Sequence, residues 1–155
     1  MRLLLRGPAA GLDPSDSDAD AVVAASPDTP GRRPWEWDVR LTRRPEGQSY
    51  PFDGAGIGSH HVDVRVRPDA VSAELRALSV EGPTSLVRDE RELWVIVVES
   101  GSLRHEHVVL ATGDVLVCEG DDPLVLDVAP EDAGAVTLAV VALRRTDGRS
   151  LRWVP

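Results

Sequence analysis

LWVIVVES, residues 93–100, is a continuous apolar run rich in β-branched residues and closed by Gly101. Such a run reads as a strand buried on both faces. SLRHEHVVL (102–110), DVLVCEG (114–120), PLVLDVA (123–129) and AVTLAVVALRR (135–145) follow it, punctuated by Gly101, Gly113, Gly120–Asp122 and Pro130–Gly134. Upstream, WEWDVRLT (35–42) alternates, with Trp35, Trp37, Val39 and Leu41 on one face and Glu36, Asp38, Arg40 and Thr42 on the other. HHVDVRVRP (60–68) alternates in the same way and sets His60, Val62, Val64 and Val66 opposite His61, Asp63, Arg65 and Arg67. Period-two alternation marks half-buried strands. Short strands at roughly 8–12-residue spacing with turn residues between them argue an all-β sandwich or barrel. DAVSAELRALSV (69–80) has the composition of a helix but fits a strand equally well, and both readings stay open.

The chain of 155 residues is long enough for one domain, or one domain with a tail. The 13 glycines and 12 prolines favour turns over long helices. A formal charge of −9 argues against a nucleic-acid backbone or an anionic membrane surface as partner. The lone cysteine, Cys118, excludes an internal disulfide and any multi-cysteine metal site. The apolar start, Met1–Leu5, ends at Gly7 and Pro8, too short for a secretion signal or a membrane span, so a cytoplasmic protein is expected. Residues 12–33 carry Asp13, Asp16, Asp18, Asp20 and Asp28, three prolines and no aromatic, a composition that cannot bury enough apolar area to offset its ordering entropy. The expected organisation is a largely flexible N-terminal segment, 1–33, followed by one β-barrel domain, 34–155.

From Trp94 to Pro130 the chain resembles the second half of a cupin barrel. WVIVVESG (94–101), the hairpin strand RHEHVVL (104–110) and GDVLVCEGDDPL (113–124) follow the family's order and spacing. The resemblance implies a double-stranded β-helix, or jelly roll. Gly113 should turn the chain at positive φ, and Asp114 should bond the turn backbone. Metal-binding cupins place His, His and Glu in the first motif and a further His in the second. The positions that match here hold Arg88, Glu90, Trp94 and Leu124, the last following a matching Pro123. Neither Arg nor Leu binds a divalent ion, so no metal and no cofactor are expected.

A second resemblance, to the HutD/Ves family of cupin-like proteins, spans more of the chain. MRLLLRG (1–7), YPFDGAG (50–56) and HVDVRVRP (61–68) occur in that family's order. His61, Asp63 and Arg65 stand where Asp, Asn and Met are usual. Arg67 falls on a family Arg, and Pro68 replaces a second one. The family's opening strand-rich section has no counterpart here.

His61, Asp63, Arg65 and Arg67 share one strand face at about 6.6–7 Å intervals and are the expected ligand-binding residues. Two guanidinium forks beside a carboxylate and an imidazole could line an anion site. The competing reading is a solvated face that keeps an edge strand soluble. His105 and His107, read as sharing a face with Leu103, are two ligands without a third. Cys118 reads as a buried structural thiol, and Trp35, Trp37, Trp94 and Trp153 as core or interface residues.

The expected function is a non-catalytic, metal-free protein that binds a small molecule, a carboxylate if the HutD/Ves resemblance carries over, or regulates through one. The alternative is a metal-independent cupin-type isomerase or cyclase in a bacterial biosynthetic pathway, using Arg, Glu and His as acid–base groups. A third reading is an assembly subunit forming a homodimer through exposed strand edges.

Overall fold

The computed structural model describes residues 2–5, 21–26, 36–43, 56–57 and 60–151. Its strands are β1 (Arg2–Leu5), β2 (Ala21–Ala25), β3 (Trp37–Arg43), β4 (Gly56–Ile57), β5 (His60–Val66), β6 (Val71–Val80), β7 (Thr84–Val87), β8 (Glu92–Ser100), β9 (Ser102–His105), β10 (Val108–Ala111), β11 (Val115–Cys118), β12 (Val125–Pro130) and β13 (Val136–Arg145). Among the described residues there is no helix, and hence none long and apolar enough to cross a membrane. The all-β expectation holds.

The strands form three antiparallel sheets. A five-stranded sheet runs β1-β11-β8-β13-β6, a four-stranded sheet β2-β3-β5-β4, and another β10-β9-β12-β7. The five-stranded sheet is the middle layer. Along β8, Leu93, Val95 and Val97 enter one apolar core, where they meet Trp37, Val39 and Val62 of the first four-stranded sheet. Trp94, Ile96 and Val98 enter a second core with Leu86, Leu103, Leu110, Leu126 and Val128 of the other sheet. β13 divides its residues in the same way, Val141 and Leu143 to the first core, Leu138 and Val140 to the second. This explains the unbroken apolar runs at 93–98 and 138–143: no position in the middle of these strands faces water. Two apolar cores thus share the middle sheet.

Four segments take a form that local pattern left open or did not show. The 69–80 segment is the strand β6, paired with β13 from Val80↔Val136 to Val71↔Arg145. Helix propensity there is outweighed by a ten-residue ladder and by the burial of Val71 and Val80. The run 102–110 is two strands, because Glu106 at φ 51 reverses the chain between His105 and Val108. Strand β1, in the segment expected to be loose, pairs with β11, with Arg2 opposite Val117. Strand β2, placed within the linker, pairs with β3. It puts Ala24 in the first core, and the buried Ser26 hydroxyl accepts hydrogen bonds from the Glu36 and Trp37 amides at 2.8 and 3.2 Å. A short run of small residues thus found a partner that its composition did not announce. Residues 12–20 and 27–33, with the aspartate run, lie outside the described residues.

The turn chemistry of the second half follows its residues. Gly113 adopts φ 88, and the Asp114 carboxylate accepts the Ala111 amide at 2.8 Å. Gly101, at φ 86, brings its backbone so close to β13 that a Cβ there would lie 3.2 Å from a Val136 methyl.

Candidate functional site

The charged face of β5 lies against β3 in a register that sets opposite charges side by side: Arg65 opposite Asp38, and Asp63 opposite Arg40. Asp38 is buried. It receives Arg65 Nε at 3.0 Å and Arg40 Nε at 3.2 Å, with a second contact from each guanidinium. Arg67 forms ion pairs with Asp69 at 3.0 Å and Glu36 at 3.8 Å, while its backbone carbonyl accepts the Ala70 and Val71 amides of the turn into β6. Glu36 also accepts Arg145 Nη1 of β13 at 2.9 Å. Val62, Val64 and Val66 point the other way into the first core, as the alternation requires. The His61 side chain lies outside the described residues. The structure therefore brings Asp63, Arg65 and Arg67 together on one face, but the forks of Arg65 and Arg67 already face carboxylates of the chain itself.

At the start of β8, the positions that the cupin resemblance equates with metal ligands hold a tight polar knot. Arg88 is only 2% exposed and donates to three backbone carbonyls: Glu92 at 2.6 Å, Asp122 at 2.8 Å and Gly120 at 3.1 Å. The buried Glu92 carboxylate accepts the Trp94 indole N–H at 2.8 Å and Arg144 Nε at 2.9 Å. Arg88 thus ties the β7–β8 turn to the loop before β12, a span that a fork donor can bridge and an imidazole could not. Glu90 and Leu124 are exposed beside it.

Outside this knot lies an open cleft of about 570 Å³, lined by Asp89, Glu90 and Arg91 of the β7–β8 turn, by Leu124, by Arg144 and Arg145 at the end of β13, and by Thr146 and Gly148 just past it. Its arginines are not equivalent. Arg144 is held by Glu92 at 2.8 Å and Asp89 at 3.6 Å, and Arg145 by Glu36 and Asp147. Among the described residues no carboxylate pairs with the Arg91 guanidinium, although its amide is fixed to Asp89 Oδ1 at 2.9 Å. The cleft therefore offers one guanidinium that is uncommitted among the described residues, on an anchored turn, beside two that are already neutralised.

No family model matches the chain, and no curated protein matches it. A solved structure does. The chain is similar to PA5104, a conserved protein of unknown function from Pseudomonas aeruginosa PAO1, with a TM-score of 0.52 and 14% sequence identity, covering 81% of this chain and 90% of that one. At that identity the likeness concerns the fold alone.

The remaining sequence candidates separate. His105 is buried and donates Nδ1–H to the Asp127 carbonyl at 2.9 Å, whereas His107 is exposed in the turn between β9 and β10. They do not share a face, because the positive φ of Glu106 breaks the alternation between them. Cys118 is fully buried, and burial pushes its thiol up to about 11. Trp37 and Trp94 fill the two cores, while Trp35 and Trp153 lie outside the described residues. Among the described residues no three His, Cys, Asp or Glu side chains gather as a metal-binding group. Sequence reasoning missed Arg91, Arg144 and Arg145. The signal was the charge cluster RDERE (88–92), which interrupts the spacing of apolar runs just before the most apolar strand.

Proposed function

We propose that this chain is a metal-free, non-catalytic small-molecule-binding protein with a cupin-like fold of HutD/Ves type, and that its ligand is a small carboxylate held in the cleft beside the β7–β8 turn. The observation that carries this reading is Arg91, a fork donor uncommitted among the described residues, on a turn whose backbone is pinned, in a cleft of about 570 Å³. That volume lies in the range of small-molecule sites, and a guanidinium fork suits a carboxylate. The metal-free reading is supported by how Arg88 and Trp94 are used: both Nη atoms of Arg88 and the indole N–H of Trp94 are spent on Glu92, Gly120 and Asp122. The cupin and HutD/Ves readings are supported by the Gly113–Asp114 turn, by the succession β8 to β12, and by the pairing of the leucine run of β1 with β11. The proposal moves the site from the β5 face to the cleft, because a ligand on β5 would have to displace Asp38 and Asp69 from the arginines.

A thermal-shift series with succinate, citrate and glutamate, each beside its amide, tests this reading. The melting temperature should rise with the logarithm of acid concentration and not with the amides. Arg91→Ala should weaken binding about tenfold or more, the usual loss for a hydrogen bond to a charged group, and Arg67→Ala should leave it unchanged. A shift that survives Arg91→Ala and vanishes in Arg67→Ala would return the site to β5. No shift with any acid would overturn the proposal.

A further inference from the structure

Strand β6 is the outer strand of the middle sheet, and among the described residues nothing pairs with its far edge. It spans ten residues, whereas the outer strands of the other two sheets span two to five. Its ladder to β13 has no register shift. It carries no proline, the usual device that spoils an edge. Ser72, Ala73, Glu74, Ala77 and Ser79 are exposed, while Leu75 and Arg76 between them are half-buried, Leu75 against the first core. A long edge with no bulge, unpaired among the described residues, is a template for another strand.

The sequence of the edge specifies which strand. Around Leu75 it reads Ala73-Glu74-Leu75-Arg76-Ala77, symmetric in size and antisymmetric in charge. In an antiparallel pairing of two copies about a two-fold axis at Leu75, Glu74 lies opposite the second copy's Arg76, and Arg76 opposite its Glu74. Ala73 lies opposite Ala77, and Leu75 opposite Leu75. Paired residues in an antiparallel ladder share a face, so both ion pairs form on one face and the alanines meet on the other. Within one chain, Arg76 already chelates Glu74, with Nε–Oε1 at 2.8 Å and Nη2–Oε2 at 2.6 Å. The two groups therefore stand ready on the same face and can exchange partners without rotating into the core. We propose that the protein forms a homodimer by antiparallel pairing of β6 with β6, so that the two middle sheets become one continuous ten-stranded sheet. The interface is isologous, which closes the assembly at two copies.

Sedimentation velocity over a concentration series, joined to a charge-exchange set, tests this. Wild type should sediment as a dimer. Glu74→Arg alone and Arg76→Glu alone should each weaken self-association roughly tenfold or more, since both symmetric pairs turn from attraction to repulsion. The double variant Glu74→Arg/Arg76→Glu should restore it, because the pairs re-form in reverse. The register has its own probe. Directly opposed strand positions have Cα atoms about 4.5–5.5 Å apart, within the span of a disulfide. Leu75→Cys should therefore yield a disulfide-linked dimer on mild oxidation, against a background kept low by the buried Cys118. A monomer at all concentrations would overturn the proposal. So would a dimer indifferent to the single reversals, failure of Leu75→Cys to cross-link, or protection of the β6 amides only on addition of a foreign extended peptide.

Discussion

Asp38 sits beneath two guanidiniums on the outer face of the β3–β5 pair. Burial by itself would raise its carboxyl, but the hydrogen bonds from Arg65 and Arg40, with their positive charge, outweigh burial and hold it below the ordinary 3.8. A carboxyl whose pKa is lower in the folded than in the unfolded state stabilises the fold above the unfolded value, and the contribution is lost as pH falls through the folded value. Asp38→Asn keeps the shape and removes the charge. It should cost about 1–2 kcal/mol at neutral pH, reduced from the full strength of a charged hydrogen bond because Arg65 is half in water. The gap to wild type, followed by urea denaturation, should close below about pH 4. A gap that is the same at every pH would show that the ionised carboxylate is not its source.

At the scale of the strand, β13 shows what distinguishes the middle layer. Its adjacent residues Val140 and Val141 are both fully buried, the first in one core and the second in the other. In a strand with one wet face, one of two neighbours would tolerate a hydroxyl. Here both should object. Val140→Thr and Val141→Thr should each destabilise by about 1–3 kcal/mol, because each buries a new polar group without a matched partner. Chemical denaturation of the pair decides it: a cost at one site and neutrality at the other would mean that one face of the sheet is open. Strand β5 is the contrast, with valines inward and Asp63 and Arg65 outward.

For the molecule as a whole, the consequence of three layers on one shared sheet is cooperativity. β8 and β13 supply side chains to both cores, so neither outer sheet can be lost without exposing apolar surface of the middle one. The two cores carry one described tryptophan each, Trp37 and Trp94. Proteins reduced to either tryptophan by Phe substitution of the others should unfold with transitions that, each set against its own circular-dichroism trace, coincide for both reporters. Fluorescence of one that changes well before the backbone signal would show the layers to be separate units.

Much of this architecture is written in local pattern. The apolar run 93–98, the alternation of Val62, Val64 and Val66, and the Gly113–Asp114 turn each determine their own conformation, because burial on one face, burial on two faces and positive φ leave signatures in consecutive residues. Partner choice leaves no such signature. Residues 69–80 satisfied two periods at once, and only ten residues of pairing with β13, more than fifty positions away, made them a strand. β2 became a strand because β3 was there to receive it. The charged face of β5 was visible in sequence, but the carboxylates that occupy its arginines come from β3 and from the turn into β6. The cleft was least visible, since Arg91 and Arg144 lie on segments brought together by the β8–β13 ladder, where Glu92 pairs with Arg144. Periodicity reports how much of each strand is buried; which strand buries it is a long-range contact, and only the tertiary structure decided that.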